Sequence, residues 1–236
     1  MRRVVLKLSG EALASAASDE TIDATTVDFL AREIAAAMDR GGLELAVVVG
    51  GGNIWRGATG AMAGMNRASS DIMGMLGTVI NALALQDAIE SHGRPTRVMT
   101  ALSMDQVAEP YIRRRAVRHL EKGRVVIFVA VIFNPYFTTD TPAAQRAAEI
   151  EADVVLKGTH GGVDGVYDLD PRAHADAVRF DELSFDEVIA RDLRVMDMTA
   201  ITFCKDNRLP IRVFDLMAPG NLGRALDGAP VGTLVR

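Results

Sequence analysis

Six short apolar runs, each followed by a helix-length segment, constrain this chain more than any other feature. They read "RVVLKLS", "LELAVVV", "TRVMTA", "VVIFVAVIF", "ADVVLKGT" and "IRVFDL". Between the first two, Val27, Leu30, Ile34, Ala37 and Met38 recur at helical spacing and Gly41-Gly42 ends the pattern. Residues 69–90 give a long apolar helix, and a basic helix runs to Lys122. An alanine-rich helix starts at Pro142, further helices cover 184–191 and 198–207, and a short one follows Gly220. Strands separated by helices pair in parallel, because a crossover of that length cannot make a tight hairpin. The expected fold is α/β, a three-layer α/β/α sandwich with a mainly parallel central sheet. No linker or internal repeat divides residues 1–236, so one domain is expected. In such sheets ligands collect at the carboxyl ends of the strands.

Composition removes several function classes. With 236 residues, of which 49% are hydrophobic, the chain can bury a substantial core. A net charge of -5 gives no general attraction to nucleic acid or to an anionic membrane. The basic run from Arg113 to His119 reads as a solvated helix face. The single Cys204 excludes an intrachain disulfide framework, and His92, His119, His160 and His174 are too scattered for a metal-ligand pair. The N-terminus lacks the apolar core of a signal peptide, and no apolar stretch reaches the roughly 20 residues of a bilayer span. A cytoplasmic location is expected, with neither nucleic acid nor membrane as partner.

Several strand ends are suited to phosphate. The first delivers Lys7, then Ser9-Gly10. A lysine in an apolar strand either meets an anion or lies on a sheet edge. The second ends in "GGGNIWRG", where Gly51 and Gly52 would let a phosphate approach the backbone and Arg56 supplies a guanidinium. The spacing fits neither a P-loop nor a dinucleotide fingerprint, and a plain sharp turn is the alternative. Asp71, near a helix start, is an N-terminal acid or an acceptor for a ribose hydroxyl. Met73, Met75, Leu76 and Val79 read as core. After "VVIFVAVIF" come Asn134-Pro135 and the cluster Thr138, Thr139, Asp140, Thr141. Thr141-Pro142 resembles a helix cap with proline at the first helical position. The loop at 160–176 presents Asp164, Tyr167, Asp168 and Asp170 just after Thr159, and its spacing is not that of an EF-hand. Phosphoryl transfer is the leading class, since it asks for positive, N–H-rich surroundings.

Taken in order, "KLSGEAL", "GGGNIWRG", "GMNRASSDIMGM", "NPYFTTDT", "EADVVLKGT", "VDGVYDLDP", "VMDMTA" and "LPIRVFDL" resemble the bacterial uridylate kinase branch of the amino-acid kinase family. The resemblance covers nearly the whole chain. It implies phosphorylation of UMP by ATP with Mg²⁺, by direct transfer, in a homohexamer. By matching motif, Lys7 would stabilise the transferring group, with Ser9, Gly10, Gly52 and Arg56 at the ATP phosphates. Gly51, Asp71, Asn134, Thr138 and Thr139 would surround UMP, with Phe133 and Pro135 in the same segment. Asp140 and Asp197 would lie near the reacting groups, and Thr159, Tyr167 and Asp170 near the adenosine half of ATP.

Three departures stand out. The family's usual Gly-Gly-Thr-Gly before Asn-Pro is replaced by Ala130-Val131-Ile132-Phe133, so Phe133 is expected to narrow the UMP-phosphate pocket. The loop after Lys157 is longer and lacks a lysine. The Gly-Phe-Gly near the N-terminus is replaced by Asp19-Glu20-Thr21, so no allosteric response carries over. These changes leave two readings open at this level: an active UMP kinase, or an impaired nucleotide-binding relative serving as sensor or assembly component.

Overall fold

The computed structural model describes residues 1–15, 20–131 and 136–236. Ile132 and Phe133 of the changed segment, the Asn134-Pro135 that follows it, and Asp19 near the N-terminus lie outside the described residues.

The first half contains β1 (Arg2–Leu8), a 3₁₀ turn (Gly10–Leu13), α1 (Ala24–Asp39), β2 (Leu43–Val49), α2 (Gly57–Met62), α3 (Arg67–Ser91), β3 (Thr96–Thr100), β4 (Glu109–Pro110), α4 (Arg113–Glu121) and β5 (Val125–Val129). The second half adds α5 (Asp140–Glu149), β6 (Val154–Thr159), β7 (Val166–Tyr167), β8 (Arg179–Phe180), β9 (Glu182–Leu183), α6 (Phe185–Ala190), α7 (Met198–Asp206), β10 (Ile211–Asp215), α8 (Asn221–Leu226) and β11 (Thr233–Val235). Among the described residues nine strands form one sheet in the order β4-β3-β5-β2-β1-β6-β10-β11-β9, and β7 and β8 make a separate ribbon. Every pairing in the large sheet is parallel except β10 with β11.

Alternation along the central strands decides which helices cover which face. Val4, Leu6, Val47 and Ile127 face a core shared with α1, α3 and α8. Val5, Val48, Phe128 and Val155 face a second core shared with α4, α5, α6 and α7. Both faces are therefore covered, giving the three layers expected from the sequence. Local signals set the ends: Asp23 accepts from Thr26 N at 2.7 Å to start α1, and Ser184 and Glu187 form a reciprocal capping box on α6.

Three expectations are corrected. Thr141 does not cap α5. The helix begins at Asp140 with Thr139 as N-cap, and Pro142 falls in its first turn, where a missing N–H is harmless. Met73 and Leu76 are not core residues; they are 38% and 46% exposed, and with Ile80 and Leu83 they line an outward stripe on α3. Finally, α3 is long and apolar enough, by length and composition, to cross a membrane. Its inward face carries Asn81, fully buried and donating to Gly50 O at 2.7 Å, which ties the helix to the end of β2.

Candidate active site

The carboxyl ends of β2, β1 and β6 lie side by side, and the loops leaving them form two adjoining clefts that share Ser9. The larger has a volume of about 450 Å³ and is walled by Gly50, Gly51, Gly52, Arg56, Asp71, Thr138 and Thr139, among others. The smaller, about 280 Å³, runs past Lys7 and Lys157 to Thr159 and His160. Both are near the size range of small-ligand sites.

Lys7 sits on a strand flanked on both sides, which removes the edge-strand explanation. It is 8% exposed, and its ammonium lies 2.7 Å from Asp140 Oδ1. Lys157 approaches the other oxygen of the same carboxylate at 3.2 Å and donates to Val195 O. Burial pushes the Asp140 carboxyl up, but Lys7 and Lys157 outweigh it and hold the group below the ordinary range. Lys157 moves down, chiefly through burial and partly through Lys7, against the pull of Asp140.

Asp197 completes this centre from the N-cap of α7, where its Oδ1 accepts from Ala200 N at 2.8 Å. Thr138 donates to Asp197 Oδ2 at 2.6 Å and Thr141 to Oδ1 at 2.8 Å. Thr141 thus ties α5 to α7. Asp140 N in turn donates to Thr138 Oγ1 at 3.1 Å. The cluster after "NPYF" is accordingly a hydrogen-bonded bracket around two carboxylates, with Thr138 and Thr139 on the wall of the larger cleft.

The larger cleft's rim is held by more exposed charges. Arg67 grips Asp71 through Nε at 2.8 and 3.0 Å, and Tyr136 N donates to Asp71 Oδ2 at 2.8 Å. Asp71 lies one turn inside α3, so its partner is Arg67 rather than the helix terminus. Arg56 is paired with Glu11, whose other oxygen lies 3.4 Å from Ser9 Oγ and 3.5 Å from His160 Nε2. The longer loop after Lys157, turned by positive-φ Gly161 and Gly162, is what carries His160 here. Burial, with Arg172, Lys7 and Arg56, lowers the His160 pKa.

Close packing, not left-handed backbone, explains the glycine run. A Cβ on Gly51 would stand 2.4 Å from Gly74 O on α3, and one on Gly10 would stand 2.7 Å from Gly50 O. Backbone atoms from three segments therefore meet at the cleft floor.

On the smaller side, the Thr159 hydroxyl lies against the carbonyls of Phe214, at 2.8 Å, and Val163. Tyr167 donates to Asp164, which also pairs with Arg179, and Asp170 Oδ1 accepts from Arg172 N at 3.0 Å. Tyr167 and Asp170 do not join the lining of the smaller cleft as Thr159 does. Sequence reasoning passed over Glu11, Arg67 and Lys157. For Lys157 a signal was present: the tetrapeptide Val-Val-Leu-Lys occurs at 4–7 and again at 154–157.

Residues 2–215 match the amino acid kinase family. A uridylate kinase of Streptomyces avermitilis is 60% identical over 233 residues, 99% of this chain and 91% of that protein. The crystal structure of UMP kinase from Bacillus anthracis superposes with a TM-score of 0.94 at 39% identity, covering 100% of this chain and 96% of that one. UMP kinase from Ureaplasma parvum gives 0.92 at 36% identity, covering 99% and 98%. With the sheet, the paired clefts and the lysine–aspartate centre in place, the chain belongs to the amino-acid kinase family.

Proposed function

We propose that this chain is a UMP kinase, transferring the γ-phosphoryl group of ATP directly to UMP to give UDP and ADP. The observation that carries the reading is the pair of clefts meeting at Ser9, beside the buried Lys7–Asp140 pair. UMP in the larger cleft, and ATP lying along the smaller one with its phosphates reaching past Ser9 to the border of the larger, would bring the reacting phosphates together at the ends of β1 and β2.

In this reading UMP occupies the larger cleft. Asp71 faces the ribose, and Gly51, Thr138 and Thr139 border the ribose and phosphate. ATP phosphates lie against Ser9, Gly10, Gly52 and Arg56, and the adenosine half extends toward Thr159, Tyr167 and Asp170. An oxygen of the UMP phosphate attacks the γ-phosphorus in line as the bond to the β-phosphate oxygen breaks. Positioning and charge stabilisation carry such a step, and no covalent enzyme intermediate is needed. Lys7 spreads the charge on the transferring group. Asp140 and Asp197 orient the lysines and threonines around it.

Mg²⁺ belongs to the reading as a companion of ATP. Among the described residues no group of three or more His, Cys, Asp or Glu could hold a metal ion. The ion would arrive with the nucleotide and keep phosphate and water oxygens as its main ligands. The protein is placed in the cytoplasm as a homohexamer, and the apolar stripe of Met73, Leu76, Ile80 and Leu83 offers a surface for a second copy.

The test is purified protein with ATP and Mg²⁺ against UMP, CMP, dTMP and small carboxylate or carbamate acceptors, with mass by light scattering. UDP formation from UMP in preference to the others, by a hexamer, is expected. Turnover of a different acceptor in its place overturns the acceptor assignment, and a monomer overturns the assembly.

A further inference from the structure

We infer that Lys157 is a positioning residue for the phosphoryl step: it shares the charge of Asp140 and so keeps the Lys7 ammonium available to the transferring group. The inference rests on the reading of Lys7 as the lysine at that group.

The repeated Val-Val-Leu-Lys is the first support. The two copies are adjacent parallel strands in register, Val4 with Val154, Val5 with Val155, Leu6 with Leu156 and Lys7 with Lys157. Register partners in a parallel pair project from the same face. Val5 and Val155 both face the core under α5, so both lysines emerge beside the first turn of α5, where Asp140 sits. Two ammonium groups on one face next to each other repel, and a single carboxylate lies between them, at 2.7 Å from Lys7 and 3.2 Å from Lys157.

Charge counting gives the second support. A buried one-to-one pair would neutralise Lys7 and leave little field for an anionic transition state. With Lys157 the trio carries a net positive charge, and the neighbouring Asp197 carboxylate is taken up by Thr138, Thr141 and the N-terminus of α7. Asp140 gives one oxygen to each lysine, Oδ1 at 2.7 Å from Lys7 and Oδ2 at 3.2 Å from Lys157. Lys7 therefore does not have the carboxylate to itself. Lys157 is itself anchored through Val195 O, at the turn that leads to Asp197. An anchored lysine can hold Asp140 where a mobile one would drift to the substrate.

The experiment compares steady-state kinetics of Lys157→Met, Lys157→Arg, Lys7→Met and the double variant Asp140→Asn/Lys157→Met, beside Asp140→Asn alone and wild type. Expected for Lys157→Met is a fall in kcat of roughly 10- to 100-fold, with the KM values of ATP and UMP within about threefold of wild type. Lys157→Arg should restore a large part of the loss. Because Lys157 acts through Asp140, the double variant should be no slower than the worse of its two single variants. Near-normal kcat in Lys157→Met overturns the inference. So does a rise in the KM of ATP that accounts for the whole loss, which would make Lys157 a direct ATP contact, and so do multiplicative losses in the double variant. Near-normal turnover by Lys7→Met would instead remove the reading of Lys7 itself. If Lys157→Met does not fold, Lys157→Arg decides: loss of kcat with normal thermal stability and no recovery overturns the inference, and retained kcat sustains it.

Discussion

The centre built on Lys7, Asp140, Lys157 and Asp197 and the rim built on Glu11, Arg56, Arg67 and Asp71 use the same chemistry in opposite settings. Side chains of the Lys7–Asp140 pair are each 10% exposed, whereas those of Arg56 and Glu11 are 61% and 29% exposed. Breaking a buried pair strands a charge in low dielectric and costs about 3–5 kcal/mol, while an exposed pair contributes about 0–1 kcal/mol. The centre is accordingly preorganised and cannot rearrange cheaply. The rim can. Glu11 is paired with Arg56, and on the proposed reading an ATP phosphate, with more charge and more acceptors, would displace it at little cost. On the same reading, rigid charge lies where bonds change and exchangeable charge where substrates enter.

The sharpest way to break this comparison is at Asp197. Asp197→Ala removes the acceptor shared by Thr138 and Thr141 and the cap of α7. A kcat loss on the order of 100-fold is expected, with a stability loss of about 1–2 kcal/mol from the cap alone. Wild-type kcat with a merely lower melting temperature would reduce Asp197 to a structural role.

A middle-sized effect concerns acid. The folded pKa of Asp140 is held below its unfolded value, so its ionisation stabilises the fold fully above the unfolded pKa, about 3.9, and that contribution disappears as pH falls through the lower folded value. Denaturant titrations from pH 5 to 2 should therefore show a steeper loss of stability in wild type than in Asp140→Asn. Parallel curves would mean that the centre's charges do not contribute to folding as its burial implies.

The smallest effect belongs to the rim. Glu11→Gln keeps the side chain's size and weakens its hold on Arg56. The expected change is a KM for ATP lowered by up to about threefold, with stability within about 0.5 kcal/mol of wild type. A raised KM would make Glu11 a partner of the bound nucleotide rather than its competitor.

Much of this was legible before any coordinates. The six apolar runs define the parallel sheet, because a strand buried on both faces must read as continuous Val, Ile and Leu. Lys7, Thr138 and Asp140 stood out as polar groups at the ends of such strands, Asp197 entered only through the family resemblance, and the structure gathers all four. Other assignments fell to long-range contacts. Thr141-Pro142 has a cap's local pattern, yet the Thr141 hydroxyl is drawn to Asp197 on another helix. The α3 stripe has a core's periodicity, which records that one side is apolar and not what covers it.

By itself the sequence determined the layer architecture, because periodicity is a local property, and the family, through its ordered motifs; it also suggested the strand ends as phosphate sites. Only the tertiary structure decided that Val-Val-Leu-Lys at 4–7 lies in register with Val-Val-Leu-Lys at 154–157, and that one carboxylate stands between the two lysines. It also decided that the glycine run serves the approach of α3 and that Glu11 holds Arg56. Strand order, register and charge pairing join residues far apart along the chain, and packing free energy over the whole sheet selects them.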